Sequence, residues 1–466
     1  MGFIDGSVLS IAIPALRADL GASLADAQWV SNSYALFLGS LILLGGAAGD
    51  RFGLRRVFGL GIAAFVIASM ASALAPSAPV LIVARALQGI GAAFMVPGSL
   101  AIIAKAYPRQ ERGKAIGIWA AASSLTTILG PVIGGFVLTV FGDWSWRLVF
   151  AINLPLGAIA LALLWLRVPP DPAGEHQKLD IAGAVLASLG LMLVAFGLTG
   201  NEGTPGLLHM LTYAGSGIVI LAIFLVWEAR TKAPMLPLRL FANVRFSGAN
   251  ALTLALYFAL SAVMFFLPMT VISAWGASAA DVAIALLPFG VALTLLSSWS
   301  GALADRFGPA PLIAIGALLV GAAFAGLGLT APMQNLWGAV LPLICLMGIG
   351  MGLVVSPLST AVMTAVEDSD TGTASGVNNA VSRVAGLLAV AMMGFVALYV
   401  FERSLGPAAQ YSIFFGLPPD TPLEPELEAA RQSATNATFA VIAYINAGLC
   451  VVSAAIAWFT LDKRLA

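Results

Sequence analysis

Asp5 and Arg85 are the residues of this chain best placed for chemistry. Each is a charge set well inside an apolar run, MGFIDGSVLSIAIP at 1–14 and PVLIVARALQGIGAAF at 79–94. Desolvation favours the protonated form of a buried carboxyl and a nearby cation favours the ionised form, so small movements between the two can bind or release a proton. Gln88 follows Arg85 by three residues and shares its helix face. An ionisable group in such a segment marks a functional site by default, and a permanent ion pair joining two helices is the plain alternative. Other chemistry finds no footing. There is no GxxxxGK[ST] phosphate loop and no nucleophile with a His or acid at helical spacing, so no enzyme activity is expected. His176 and His209 lack neighbouring ligand residues, and Cys345 and Cys450 fall inside apolar runs. Neither a metal centre, a disulfide nor any other cofactor is expected.

The elements that must position these charges are membrane helices. Of 466 residues, 60% are hydrophobic and 9% charged, against roughly 25% charged in a soluble domain. Fourteen apolar stretches, from 1–16 to 434–460, are each near the ~20 residues that cross a bilayer as a helix. Alternating the loops puts all but five of the 22 Lys and Arg on one side: Arg17, Arg147, Arg403 and Arg431 fall on the other, and Arg85 lies inside a span. The positive-inside rule then places the protein in the inner (cytoplasmic) membrane with both termini in the cytoplasm. Counted at 1.5 Å per residue, Asp5 lies ~14 Å from Pro14 and Arg85 ~9 Å from Pro79, at comparable depth below the external surface. Only about 6 Å of helix precedes Asp5, so roughly ten or more apolar residues are expected ahead of Met1.

The chain repeats itself. GAAGDRFG at 46–53 matches GALADRFG at 301–308 with an offset of 255, and Gly113-x-Ala115-x-Gly117 returns as Gly372-x-Ala374-x-Gly376. The copies have the same orientation, which is a parallel repeat. Three units follow: a six-helix bundle over 1–167, two inserted helices with linkers over 168–245, and a second six-helix bundle over 246–466. The inserted pair, without charge in its apolar core, is expected to be scaffolding.

A repeated G-x-x-x-D-R-x-G, together with RALQGIGAAFMVPGS at 85–99, ILGPVIGG at 128–135, SWRLVFAINLPLG at 145–157, PMLPLRLF at 234–241 and ASGVNNAVSR at 374–383, resembles the major facilitator superfamily. Within it, the chain is similar to the fourteen-span drug:proton antiporters of the EmrB/QacA type. The resemblance implies proton-driven, alternating-access export of hydrophobic or monocationic compounds from a central cavity, with Asp5 and Arg85 coupling the proton. It further implies a latch of Gly46, Asp50, Arg51, Gly53, Arg55 and Glu111, repeated at Asp305 and Arg306. Leu54 and Pro309 depart from the basic residue usual after the turn glycine, which weakens that motif. Gly130, Pro131, Gly134 and Gly135 form the antiporter motif, absent from the second half, where Ala389-Val390 stands instead. Trp29, Asn32, Tyr34, Gln88, Tyr257, Phe265, Asn378 and Asn379 are the candidates for the cavity wall. The expected partners are the small substrate, protons and lipid around a monomer, with no nucleic acid, and in double-membrane bacteria a periplasmic adaptor and outer-membrane channel. A superfamily transporter of a specific metabolite, such as a symporter, is the competing reading, and the one-sided LGPVIGG weighs against it.

Overall fold

In a hydrocarbon solvent every backbone polar group must be satisfied within the segment, so apolar runs of this length can only be helices or closed barrels. The computed structural model is helical throughout, with no strand among the described residues. It describes the chain apart from residues 108, 171–178, 200–205, 368, 369, 412, 420, 421 and 463–466, and apart from some side chains between residues 3 and 7 and between 100 and 128.

The first helices are α1 (Gly2–Leu20), α2 (Leu24–Phe52), α3 (Leu54–Ala73), α4 (Ala78–Ala106), α5 (Arg109–Phe141), α6 (Trp146–Ala151) and α7 (Asn153–Arg167). Two helices, α8 (Ile181–Leu198) and α9 (Leu207–Arg230), pack on each other. The rest are α10 (Val244–Trp275), α11 (Ala279–Phe307), α12 (Pro309–Thr330), α13 (Leu341–Thr364), α14 (Thr371–Leu405) and α15 (Pro425–Thr460). Twelve membrane spans are long and apolar enough to cross a bilayer among the described residues, with α6 and α7 counted as one. The sequence reading expected fourteen. The other two correspond to α1 and α5, which are partly outside the described side chains; within α5, Leu129–Phe141 is a shorter apolar helix.

The repeat seen in the sequence has a conformational counterpart. Ser23 and Asp26 close a capping box at the start of α2, and Ser278 and Asp281 close the same box at the start of α11. Each box satisfies two N–H groups that the helix start would leave orphaned. At the other end of these helices, Gly53 (φ 94°) and Gly308 (φ 81°) make the turn into α3 and α12 in a region where a side chain would be strained. Asp180 caps α8 through Gly183 N–H and accepts from the Trp227 indole of α9, which ties the two inserted helices together.

Helices α2, α3, α4 and α7 pack in sequence neighbourhood, as do α10, α12, α13 and α15. Across them, α2 lies along α14, α5 along α11 and α1 against α10. Helix α8 covers the seam where α2 meets α14.

Candidate functional site

Asp5, Arg85 and Gln88 meet as a closed cluster between α1 and α4, at 0%, 1% and 0% exposure. Arg85 Nη1 is 2.5 Å from Asp5 Oδ2 and donates at 2.7 Å to Gln88 Oε1. Gln88 Nε2 donates at 2.9 Å to Asp5 Oδ1, so both carboxylate oxygens are engaged. Arg85 Nε donates to Val30 O of α2 at 3.1 Å, and the guanidinium lies 4.3 Å from the Tyr34 ring and 5.5 Å from that of Phe150. Burying two charges costs several kcal/mol per ion unless pairing and further hydrogen bonds offset it, and here each charge has at least two such partners. The cluster is neutral as built. A proton added at Asp5 would remove the negative partner and leave Arg85 as a lone cation in a dry site.

The facing wall comes from α10 and α14. Asn378 is committed to α10, donating to Thr253 Oγ1 at 2.8 Å and to Asn250 Oδ1 at 3.2 Å. Asn379 and Tyr257 are partly exposed, and the Asn379 Oδ1 is buried without a partner. Asn32 is 1% exposed with both amide atoms unpartnered, on the face of α2 that carries Gln28 and Gly39 toward α14. Two residues expected on this wall are elsewhere. Trp29 packs 6.2 Å from the Phe196 ring of α8, where an indole shields the inserted pair. Phe265 is 4% exposed against Phe266, a core contact that apolarity alone cannot tell from a cavity wall.

Arg383 requires a correction. The charge count placed it among the cytoplasmic cations, but α14 begins at Thr371, which puts Arg383 about 18 Å along the helix. Its Cβ is 3.0 Å from where a Cβ on Gly39 would stand, so it sits at the contact of α14 with α2. The whole run ASGVNNAVSR at 374–383 lies within α14.

At the Gly53 end, Asp50, Asp305 and Arg306 are exposed, and Arg51 and Arg306 each lie over a neighbouring ring, Phe52 at 5.0 Å and Phe307 at 5.5 Å. Arg55 donates to Trp165 O at 2.8 Å and stacks on its ring at 4.6 Å. The Glu111 side chain lies outside the described residues. Gly46 has ordinary clearance, its nearest neighbour being Pro97 at 3.8 Å from a built Cβ.

The Gly21 end is sealed. Arg17 Nη1 donates to Phe415 O at 2.7 Å, Gln28 Nε2 to Val390 O at 2.6 Å, and Ala280 N–H to Thr139 Oγ1 at 3.0 Å. Gly130 is buried and Pro131 lies inside α5. Gly134 is pressed on Val8 of α1, and a Cβ on Gly135 would stand 2.6 Å from Ala279 O and 2.7 Å from Ala283 Cβ of α11. The two glycines thus let α5 touch α1 and α11 on adjacent faces. A Gly135→Val substitution must push backbone from backbone, at about 1–3 kcal/mol against this closed end. The expected readout is a cysteine pair, Thr139→Cys with Ala280→Cys, that crosslinks readily in the parent and poorly once Gly135→Val is added. Equal crosslinking would show that the seal does not depend on that clearance.

Similarities to known proteins follow this architecture. The chain is 33% identical to the puromycin resistance protein pur8 of Streptomyces alboniger, over 99% of this chain and 89% of the relative. It is 32% identical to a probable actinorhodin transporter of Streptomyces coelicolor, over 93% and 75% of the two chains. Among solved structures, a bacterial homologue of the human lysosomal transporter Spinster, inward-facing and occupied, aligns with a TM-score of 0.70 at 18% identity, covering 98% of this chain and 93% of that one. A D-xylose–proton symporter aligns with a TM-score of 0.66 at 17% identity, covering 99% and 96%. At such identities the solved structures speak for the fold alone. Residues 1–390 match the Major Facilitator Superfamily, and with this helical architecture the chain belongs to that family of membrane transporters.

Proposed function

We propose that this transporter is a proton-coupled antiporter that exports hydrophobic compounds by alternating access, with α1 and α5 completing fourteen spans of the EmrB/QacA type. Its two halves are 1–167 and 246–466, each a six-helix bundle, with 168–245 inserted between them. The Gly21 end faces outward and the termini face the cytoplasm of the inner membrane, in keeping with the distribution of Lys and Arg. The buried Asp5–Arg85–Gln88 cluster carries this reading, because it is a titratable carboxylate held by a cation that a change of state can move away. Relatives named for antibiotic resistance and export, including the tetracenomycin C resistance and export protein of Streptomyces glaucescens, support the substrate class. A monocation enters only by competing with Arg85 for Asp5, and among the described residues a dication finds no second carboxylate within the spans.

The direct test is reconstitution in liposomes with an imposed pH gradient and a panel of dyes and antiseptics. Uphill substrate movement opposite to the proton is expected. Movement of both in one direction would establish the symporter reading instead, and dications competing with monocations at one site would refute the single-carboxylate picture.

Asp50, exposed while the Gly21 end is sealed, is proposed to dock on a facing helix when the Gly53 end closes, where helix N–H groups favour a carboxylate. Asp50→Asn is expected to lower transport more than it lowers expression and to reduce crosslinking between the halves at the Gly53 end. Normal transport with unchanged crosslinking would leave the residue only a part in topology.

A further inference from the structure

Arg383 is a cation inside a membrane-spanning helix that this mechanism does not use. It forms no ion pair among the described residues, and its Nε is buried without a hydrogen-bond partner. The residue is nevertheless partly exposed. It stands where α14 meets both α2 and α10: its Cβ is 3.0 Å from where a Cβ on Gly39 would be, and a Cβ on Gly386, three residues on, would stand 3.2 Å from Ser261 Oγ. Asn379 precedes Arg383 by four residues and shares its face of α14.

Among the described residues, the surroundings offer donors and no uncommitted negative charge. Tyr34, Tyr257 and Asn379 can each donate a hydrogen bond. Both oxygens of Asp5 are already held by Arg85 and Gln88. Apart from Asp5, the acidic side chains on the described helices lie within about a turn of a helix end. A guanidinium kept out of water without a counterion is costly, and its planar fork suits a carboxylate or a phenolate oxygen.

We propose that Arg383 seats the acidic group of the exported compound, so that the preferred substrates are hydrophobic bodies carrying one carboxylate or ionised phenol. This deepens the exporter reading and rests on it for the word substrate, but binding can be measured without transport. Three probes share one aromatic body: 1-pyrenebutyrate, 1-pyrenebutanol and 1-pyrenemethylammonium. Fluorescence titration of the purified full chain in nanodiscs at neutral pH, without any gradient, gives the affinity of each.

The carboxylate should bind at least about tenfold more tightly than the alcohol, the effect of one charge-assisted pair, and the ammonium more weakly than the carboxylate. Arg383→Gln should bring the carboxylate-to-alcohol ratio to about one, and Arg383→Lys should keep part of it. A ratio near one in the parent, a preference for the ammonium, or a ratio that survives Arg383→Gln overturns the assignment. The parent arm needs no variant and decides even where Arg383→Gln does not fold. Failure of pH-driven export with the ratio intact would count against the antiporter and leave the anion site standing.

Discussion

Asp5→Asn is expected to abolish uphill export from a pH gradient while the protein still folds and inserts. Asn is nearly isosteric, keeps one oxygen to accept from Arg85 while its amide NH2 replaces the oxygen that accepts from Gln88, and cannot gain or lose a proton in this range. The driving energy at stake is large: a proton falling through one pH unit releases ~1.4 kcal/mol, and one charge crossing 100 mV about 2.3 kcal/mol. Without a titrating group neither term reaches the substrate. Accumulation in liposomes should therefore fall to the downhill level, and substrate-induced proton release from the purified protein should vanish with it. Retained export and proton release alongside a mere loss of thermal stability would make Asp5 a structural ion-pair partner.

The second large effect concerns its partner. Arg85→Met removes the cation from a carboxylate that is 0% exposed, and breaking a buried pair from one side typically costs about 3–5 kcal/mol. The carboxyl can escape part of this by staying protonated, which would lock the site in one state, so transport is expected to be lost with it. Adding Asp5→Asn to Arg85→Met removes the orphaned carboxylate and should restore part of the stability. A thermal-unfolding cycle in detergent over the parent, both single variants and the double variant measures the coupling. Additive losses would mean that the pair contributes nothing as a pair. Arg85→Lys separates charge from shape, because Lys cannot reproduce the simultaneous contacts to Asp5, Gln88 and Val30.

Much of this site is written in the sequence because charge is rare there. Asp5 and Arg85 stand out against apolar neighbours, and a repeat offset of 255 also relates the capping boxes at Ser23 and Ser278 and the turn glycines at 53 and 308. What sequence reasoning missed was a matter of direction and of helix starts. Trp29 is amphipathic and serves equally well against α8 or in a cavity, and nothing in its type says which. Phe265 and Tyr257 lie eight residues apart on one helix, yet only Tyr257 is partly exposed, because packing with Phe266 claims the other ring. Arg383 was lost because it was counted with the cytoplasmic loops, whereas it stands about 18 Å along α14. A signal was available, since Asn379 and Arg383 repeat at four residues in a segment long enough to span.

Arg85 of α4 lies 4.3 Å from the Tyr34 ring of α2, Arg383 of α14 stands against Gly39 of the same helix, and among the described residues the carboxylate set between the helices is Asp5 on α1. When that carboxylate is ionised, its attraction partly balances the repulsion between the two guanidinium groups. When it takes up a proton, that repulsion goes unbalanced in an interior where screening is weak. Protonation is therefore a change in the force between α4 and α14, the helices that belong to different repeats. An ion pair internal to one repeat can in this way be felt by the other as a push.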